Sequence, residues 1–186
     1  KLGGGPHPGF MISYLMMTEK RFSSPPPRGL TGWLMRLPVW LYRAGLGGLL
    51  GKRFLMFTHT GRKTGRKRQT VVEVVDHDPA AGVYYVVSGW GERSDWYRNV
   101  MANPRVAVQV GNHKFDATAE RLAPEEGARI MLSYAREHPQ ALRMLAQMMN
   151  YPLDGSEESA QEFGRMIPVL AFRPVSGVSA PDKALQ

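Results

Sequence analysis

Around Gly111-Asn112 two segments, 105–111 and 113–121, alternate apolar and polar side chains with period two, the strongest hairpin signal in the chain. Neighbouring runs repeat the pattern. Phe54-Leu-Met-Phe-Thr58 is a short apolar strand, and the β-branched run 69–77 can pair with it. Asp78-Pro-Ala-Ala-Gly82 is turn chemistry that feeds a third strand, 83–88, and closes a second hairpin. A last strand over 166–173 returns to the sheet. Strands joined by hairpins favour an antiparallel barrel with helical cover over a parallel βαβ sheet, which disfavours dinucleotide binding of the Rossmann kind.

Helices fill the remaining segments. Pro124-Glu-Glu-Gly-Ala-Arg opens one, with proline in the first turn and acids near the positive end of the dipole, and it runs to about Glu137. His138-Pro139 breaks it. Residues 140–150 form a second, Met-rich helix whose Met144, Met148 and Met149 suit an adaptable apolar pocket or simple core, and a third short helix follows Ser156. Over 32–50, Trp33, Leu34, Leu37, Trp40, Leu41 and Ala44 keep helical spacing with Arg36 and Arg43 on another face. That helix is too interrupted to span a membrane. It suits either an interfacial helix, giving peripheral membrane contact through 30–50, or a helix packed on its own domain.

The expected organisation is a flexible N-terminal segment over 1–28, one domain over 29–174 and a C-terminal tail over 175–186. Lys1-Leu-Gly-Gly-Gly-Pro has the look of an appended tag, with Met11 or Met16 as natural starts, and no signal peptide is evident. The absence of cysteine excludes disulfides, thiolate catalysis and Cys-based zinc sites, and no metal site is expected. A cytoplasmic protein, monomer or homodimer, is consistent with this.

The net charge of +8 implies an anionic partner. Nucleic acid is disfavoured, because no finger spacing or RNA-recognition signature accompanies the charge and the cations are clustered rather than striped along a helix. Five of the seven residues from Arg62 to Arg68 are cationic (Arg62, Lys63, Arg66, Lys67, Arg68), and no acid occurs from Lys52 to Arg68. This loop joins the first two strands. Gly61 and Gly65 can take positive φ or let backbone approach a ligand, and Arg forks suit phosphate or carboxylate. A solvated hairpin loop is the competing interpretation. The Walker order is absent, so a phosphorylated small molecule is the first candidate.

A second constellation, Ser88-Gly-Trp-Gly-Glu-Arg-Ser-Asp-Trp-Tyr-Arg-Asn99, follows the third strand and starts a short helix with Ser94 as its cap. Its glycines allow close approach to a flat ring, and Trp90, Trp96 and Tyr97 offer stacking faces. Trp96 and Tyr97 can equally be core anchors.

Taken together, Thr60-Gly-Arg-Lys-Thr-Gly-x-x-Arg68, the Ser88-x-x-Gly91 turn and Asp95-Trp-Tyr-Arg-Asn-Val-Met-Ala-Asn-Pro-Arg-Val106 resemble the deazaflavin-dependent nitroreductase family of the split β-barrel flavin-reductase superfamily. The resemblance extends over about 36–173. It implies an α+β split barrel of about six antiparallel strands, with reduced coenzyme F-420 donating hydride to a nitro compound, quinone or activated enone. It assigns the cofactor's phosphate and tail to Arg62, Lys63, Thr64, Gly65 and Arg68, and its ring to Ser88, Gly89, Trp96, Tyr97 and Asn99. Ser88 or Tyr134 would hydrogen-bond the acceptor oxygen. Members with quinone activity often carry lysine where this chain has Gly89-Trp90, and tyrosines where 140–150 has none, which favours an apolar acceptor. A fatty-acid-binding, membrane-associated relative and an FMN-binding reductase are the alternatives.

Overall fold

The computed structural model describes Gly51 and residues 53–175. The helix expected over 32–50, the segment 1–28 and the tail beyond Val175 lie outside the described residues. Six strands, β1 (Phe54–Thr60), β2 (Lys67–Asp78), β3 (Val83–Val87), β4 (Arg105–Val110), β5 (His113–Arg121) and β6 (Val169–Pro174), close a barrel in the order β1-β2-β3-β6-β5-β4. Every pair is antiparallel, and β4 closes on β1 through Leu55↔Val110 to Thr58↔Ala107. The expected hairpins are all present. Gly111 takes φ +55° in the two-residue β4–β5 turn, a conformation that costs glycine nothing.

Strand alternation divides the core into two. Inward residues Leu55, Phe57, Tyr84, Val86, Val106, Val108, Phe115, Leu170 and Phe172 fill the barrel. Outward residues of the same strands, Val83, Val87, Val169 and Ala171, pack instead under helices. Those helices are α2 (Pro124–Glu137), α3 (Pro139–Met148) and α4 (Glu157–Met166), while α1 (Asp95–Ala102) plugs one end of the barrel with Tyr97 and Val100. Fully burying a side chain such as Phe163 or Leu170 stabilises by about 1.5–3 kcal/mol.

Two boundaries differ from expectation. β6 begins at Val169 rather than Met166, because α4 continues to Met166 and Ile167, which precedes Pro168, is driven to an extended ψ of 134°. α3 ends at Met148, and Asn150 turns the chain away at φ 54°. α2 and α4 meet at Gly127 and Gly164. A Cβ on Gly164 would lie 2.7 Å from Ala128 Cα and 2.8 Å from Met131 Cβ, so only glycine permits this spacing.

Candidate functional site

The cationic loop is closed on itself before it touches anything else. Gly61 N–H donates to Arg66 O (2.9 Å), and the N–H groups of Thr64 and Gly65 donate to Gly61 O (3.2 and 2.8 Å). Gly65 sits at φ +65° as the left-handed residue of this turn. Gly61 is needed for a different reason: a Cβ there would meet Thr64 Oγ1, Arg68 Nε and Arg66 O at 3.1–3.3 Å.

The loop is then tied to α1. Arg62 N–H donates to Asn99 Oδ1 at 3.0 Å, Arg62 Nη1 donates to the same oxygen at 2.9 Å, and Nη2 reaches Asp95 Oδ1 at 3.1 Å. The two sequence constellations thus form one structural unit. Arg62 keeps 23 % of its side chain exposed and Asp95 86 %, so the ion pair itself contributes little and the bonds to Asn99 carry the connection. Behind Asn99 lies His59, 2 % exposed, held well below its usual pKa at about 4 by burial and then by Arg68.

With Arg62 occupied, the outward charge comes from its neighbours. Lys63, Thr64, Gly65, Arg66, Lys67 and Arg68 are exposed, and none of these four cations pairs with a carboxylate among the described residues. Lys67 Nζ donates to Thr60 Oγ1 (3.2 Å), which leaves Lys63, Arg66 and Arg68 with open donors. A cluster of cations without acids is an electrostatic cradle for phosphate or carboxylate.

The turn after β3 is rigid. Ser88 is fully buried, its hydroxyl donates to Gly91 O at 2.7 Å, and Ser94 Oγ lies 2.8 Å from it. Ser94 does occupy the cap position of α1, but its hydroxyl is turned to Ser88 and makes no cap bond. Trp96 is half-buried with its edge against Phe57 (5.4 Å), whereas Tyr97 is a core anchor with Arg121 6.0 Å above its ring. Burial raises the Tyr97 phenol, and Arg121 partly opposes the shift. A methyl on Gly89 would stand 3.4 Å from Leu145 Cδ1, so α3 abuts this turn. Of the three methionines on that segment Met149 is core, while Met144 and Met148 are exposed.

The two hydroxyls expected to meet an acceptor both have partners within the protein. Ser88 is engaged inside its turn. Tyr134 lies under the helical cover, 2 % exposed, and donates to Glu73 Oε1 (2.9 Å), the oxygen that Arg53 Nε also holds (3.0 Å). Burial, then the bond to Glu73, pushes its phenol far above the ordinary range. His59 was missed in the sequence, although its period-two spacing from Leu55 and Phe57 marks it as inward-facing.

A family model described as F420H(2)-dependent quinone reductase matches residues 34–148. The chain belongs to this family. The match covers both the cationic loop and α1. A putative F420H(2)-dependent quinone reductase of Mycobacterium bovis is 34 % identical over 100 residues, which is 50 % of this chain and 66 % of that protein. An F420H(2)-dependent quinone reductase of Mycobacterium tuberculosis strain H37Rv aligns with the same figures, so the aligned part falls just short of two thirds of these quinone reductases. A solved F420-H2 dependent reductase, FDR-A, is 28 % identical with a TM-score of 0.48, covering 66 % of this chain and 96 % of its own.

Proposed function

We propose that this protein uses reduced coenzyme F-420 to reduce an apolar acceptor, a quinone in the first place. One observation carries the reading: an acid-free loop of exposed cations is bonded, through Arg62 and Asn99, to the helix bearing Trp96. Lys63, Arg66 and Arg68, with the Thr64 hydroxyl, suit the phosphate and carboxylates of the cofactor's tail, on a turn fixed by the backbone bonds of Gly61 and by the left-handed Gly65. Bound F-420 supplies the hydride, so no acid-base pair is required of the protein.

The remaining groups position and shield. The locked Ser88–Gly91 turn and the exposed part of Trp96 offer a flat platform for the ring, Tyr97 anchors α1 in the barrel, and Asn99 sets the loop. Gly89 stands against Leu145, and Met144 and Met148 are exposed on the same helix, apolar surface that suits an apolar acceptor rather than a small polar one. The Ser88 and Tyr134 hydroxyls fix structure and take no acid role in this reading.

Titration of the protein into oxidised F-420, followed by cofactor fluorescence, tests the reading. Saturable binding that weakens with added salt is expected. Absence of binding up to about 1 mM, the upper end of ordinary enzyme affinities, removes it.

A further inference from the structure

Asn99 stands between two groups that dictate which way its amide points. On one side the Arg62 backbone N–H and Nη1 both donate, at 3.0 and 2.9 Å, and two donors admit only Oδ1 opposite them. Nδ2 therefore faces the other way, 3.3 Å from His59 Nδ1. An amide N–H at that point needs an acceptor, so Nδ1 carries no proton. The ring is neutral with its hydrogen on Nε2, aimed at Thr70 Oγ1 3.2 Å away. Burial supports the same state by disfavouring the cation.

We propose that His59 is a positioning residue: its neutral ring fixes the Asn99 amide, and through Asn99 it holds Arg62 and the 61–66 loop in the form that presents Lys63, Arg66 and Arg68 to an anionic ligand. This rests on the reading of that loop as the cofactor's phosphate and carboxylate cradle. A proton on Nδ1, in either the other tautomer or the cation, sets N–H against N–H. The amide relieves that clash only by turning Nδ2 toward the two donors of Arg62, which releases the loop from α1. The Thr70 hydroxyl can donate or accept, so it bonds Nε2 in either case and Asn99 alone selects the tautomer.

The first test needs no ligand. Long-range proton–nitrogen NMR of the wild-type protein at neutral pH should show a pyridine-like Nδ1 and a pyrrole-like Nε2 at His59; the reverse assignment overturns the proposal whatever the loop binds. The second compares His59→Asn, whose side-chain oxygen replaces the Nδ1 acceptor, with His59→Gln, whose longer amide reaches toward the Nε2 position and leaves Asn99 without an acceptor. Amide exchange at Arg62 should stay slow in H59N and quicken by about tenfold in H59Q, the loss of roughly one buried hydrogen bond. Affinity for oxidised F-420 should fall in the same order, by about tenfold in H59Q and less than about threefold in H59N. Its salt dependence should not change, because no loop charge is removed. Equal loss in both variants, or no loss in either, overturns the positioning role. A wild-type protein that shows the expected tautomer and exchange pattern yet binds no F-420 overturns instead the reading of the loop.

Discussion

The 61–66 loop is held by a few directional bonds that converge on Asn99, whereas α2 and α4 are held by close apolar contact around Gly127 and Gly164. Both regions rest on the same barrel. In the first, removing one polar group frees an orientation while the barrel stays intact; in the second, adding one carbon forces a layer apart while the loop stays in place. The site and the stability of the fold are therefore separable, and substitutions can be chosen to move one without the other.

The largest effect is expected in the cover. Gly164→Val places side-chain atoms where a single Cβ already lies under 3 Å from Ala128 and Met131, and overpacking of this kind should cost roughly 3 kcal/mol in urea unfolding. The folded protein should keep its F-420 affinity. A fall in affinity measured below the unfolding transition would mean that the two regions are coupled.

Acid tests the loop side. His59 titrates near 4 in the fold against 6.5 as a free residue, so between those values the unfolded chain holds more protons and stability rises with pH. Its contribution is complete above about pH 6.5 and is lost as pH falls toward 4, to an amount of about 3 kcal/mol at most. The charged groups nearest it are Arg68 across the β1–β2 ladder and, beyond Asn99, Arg62 with Asp95. His59→Asn should flatten this part of the curve in chemical unfolding as a function of pH. An unchanged slope places the acid sensitivity elsewhere.

Smaller shifts separate connection from charge. Asn99→Ala leaves two Arg62 donors and His59 without their partner and should cost about 2 kcal/mol of stability together with looser ligand binding. Lys63→Ala and Arg66→Ala, both exposed and unpaired, should leave stability within about 0.5 kcal/mol of wild type. Each should weaken F-420 binding by about 1.5 kcal/mol and make it less sensitive to salt. Unaltered affinity and salt dependence in both would reduce the loop to solvated surface.

The sequence made the barrel legible because hairpins announce themselves locally: period two, turn residues at Gly111 and Asp78–Gly82, and one short apolar strand beside one β-branched run. The same locality exposed the cation cluster. What stayed hidden depended on which side chains meet, most of them 33 or more positions apart. Arg62 appeared equivalent to Lys63 until its fork was found on Asp95 and Asn99. The bond of Tyr134 to Glu73, 61 residues away, could not be read from its neighbours. Ser94 carried a correct cap position with an unexpected bond, since Ser88 competes for its hydroxyl. Among the described residues no helix is long and apolar enough to cross a membrane.

In the proposed function this loop and helix hold a deazaflavin for hydride transfer to a quinone. Mixing the purified protein with reduced F-420 and a soluble menaquinone analogue, and following the return of oxidised-cofactor fluorescence, tests it most directly. Reoxidation above the uncatalysed rate is predicted, saturable in cofactor below about 1 mM and with an apparent KM that rises with salt and in Lys63→Ala. A rate equal to the protein-free control, from folded protein, would contradict it.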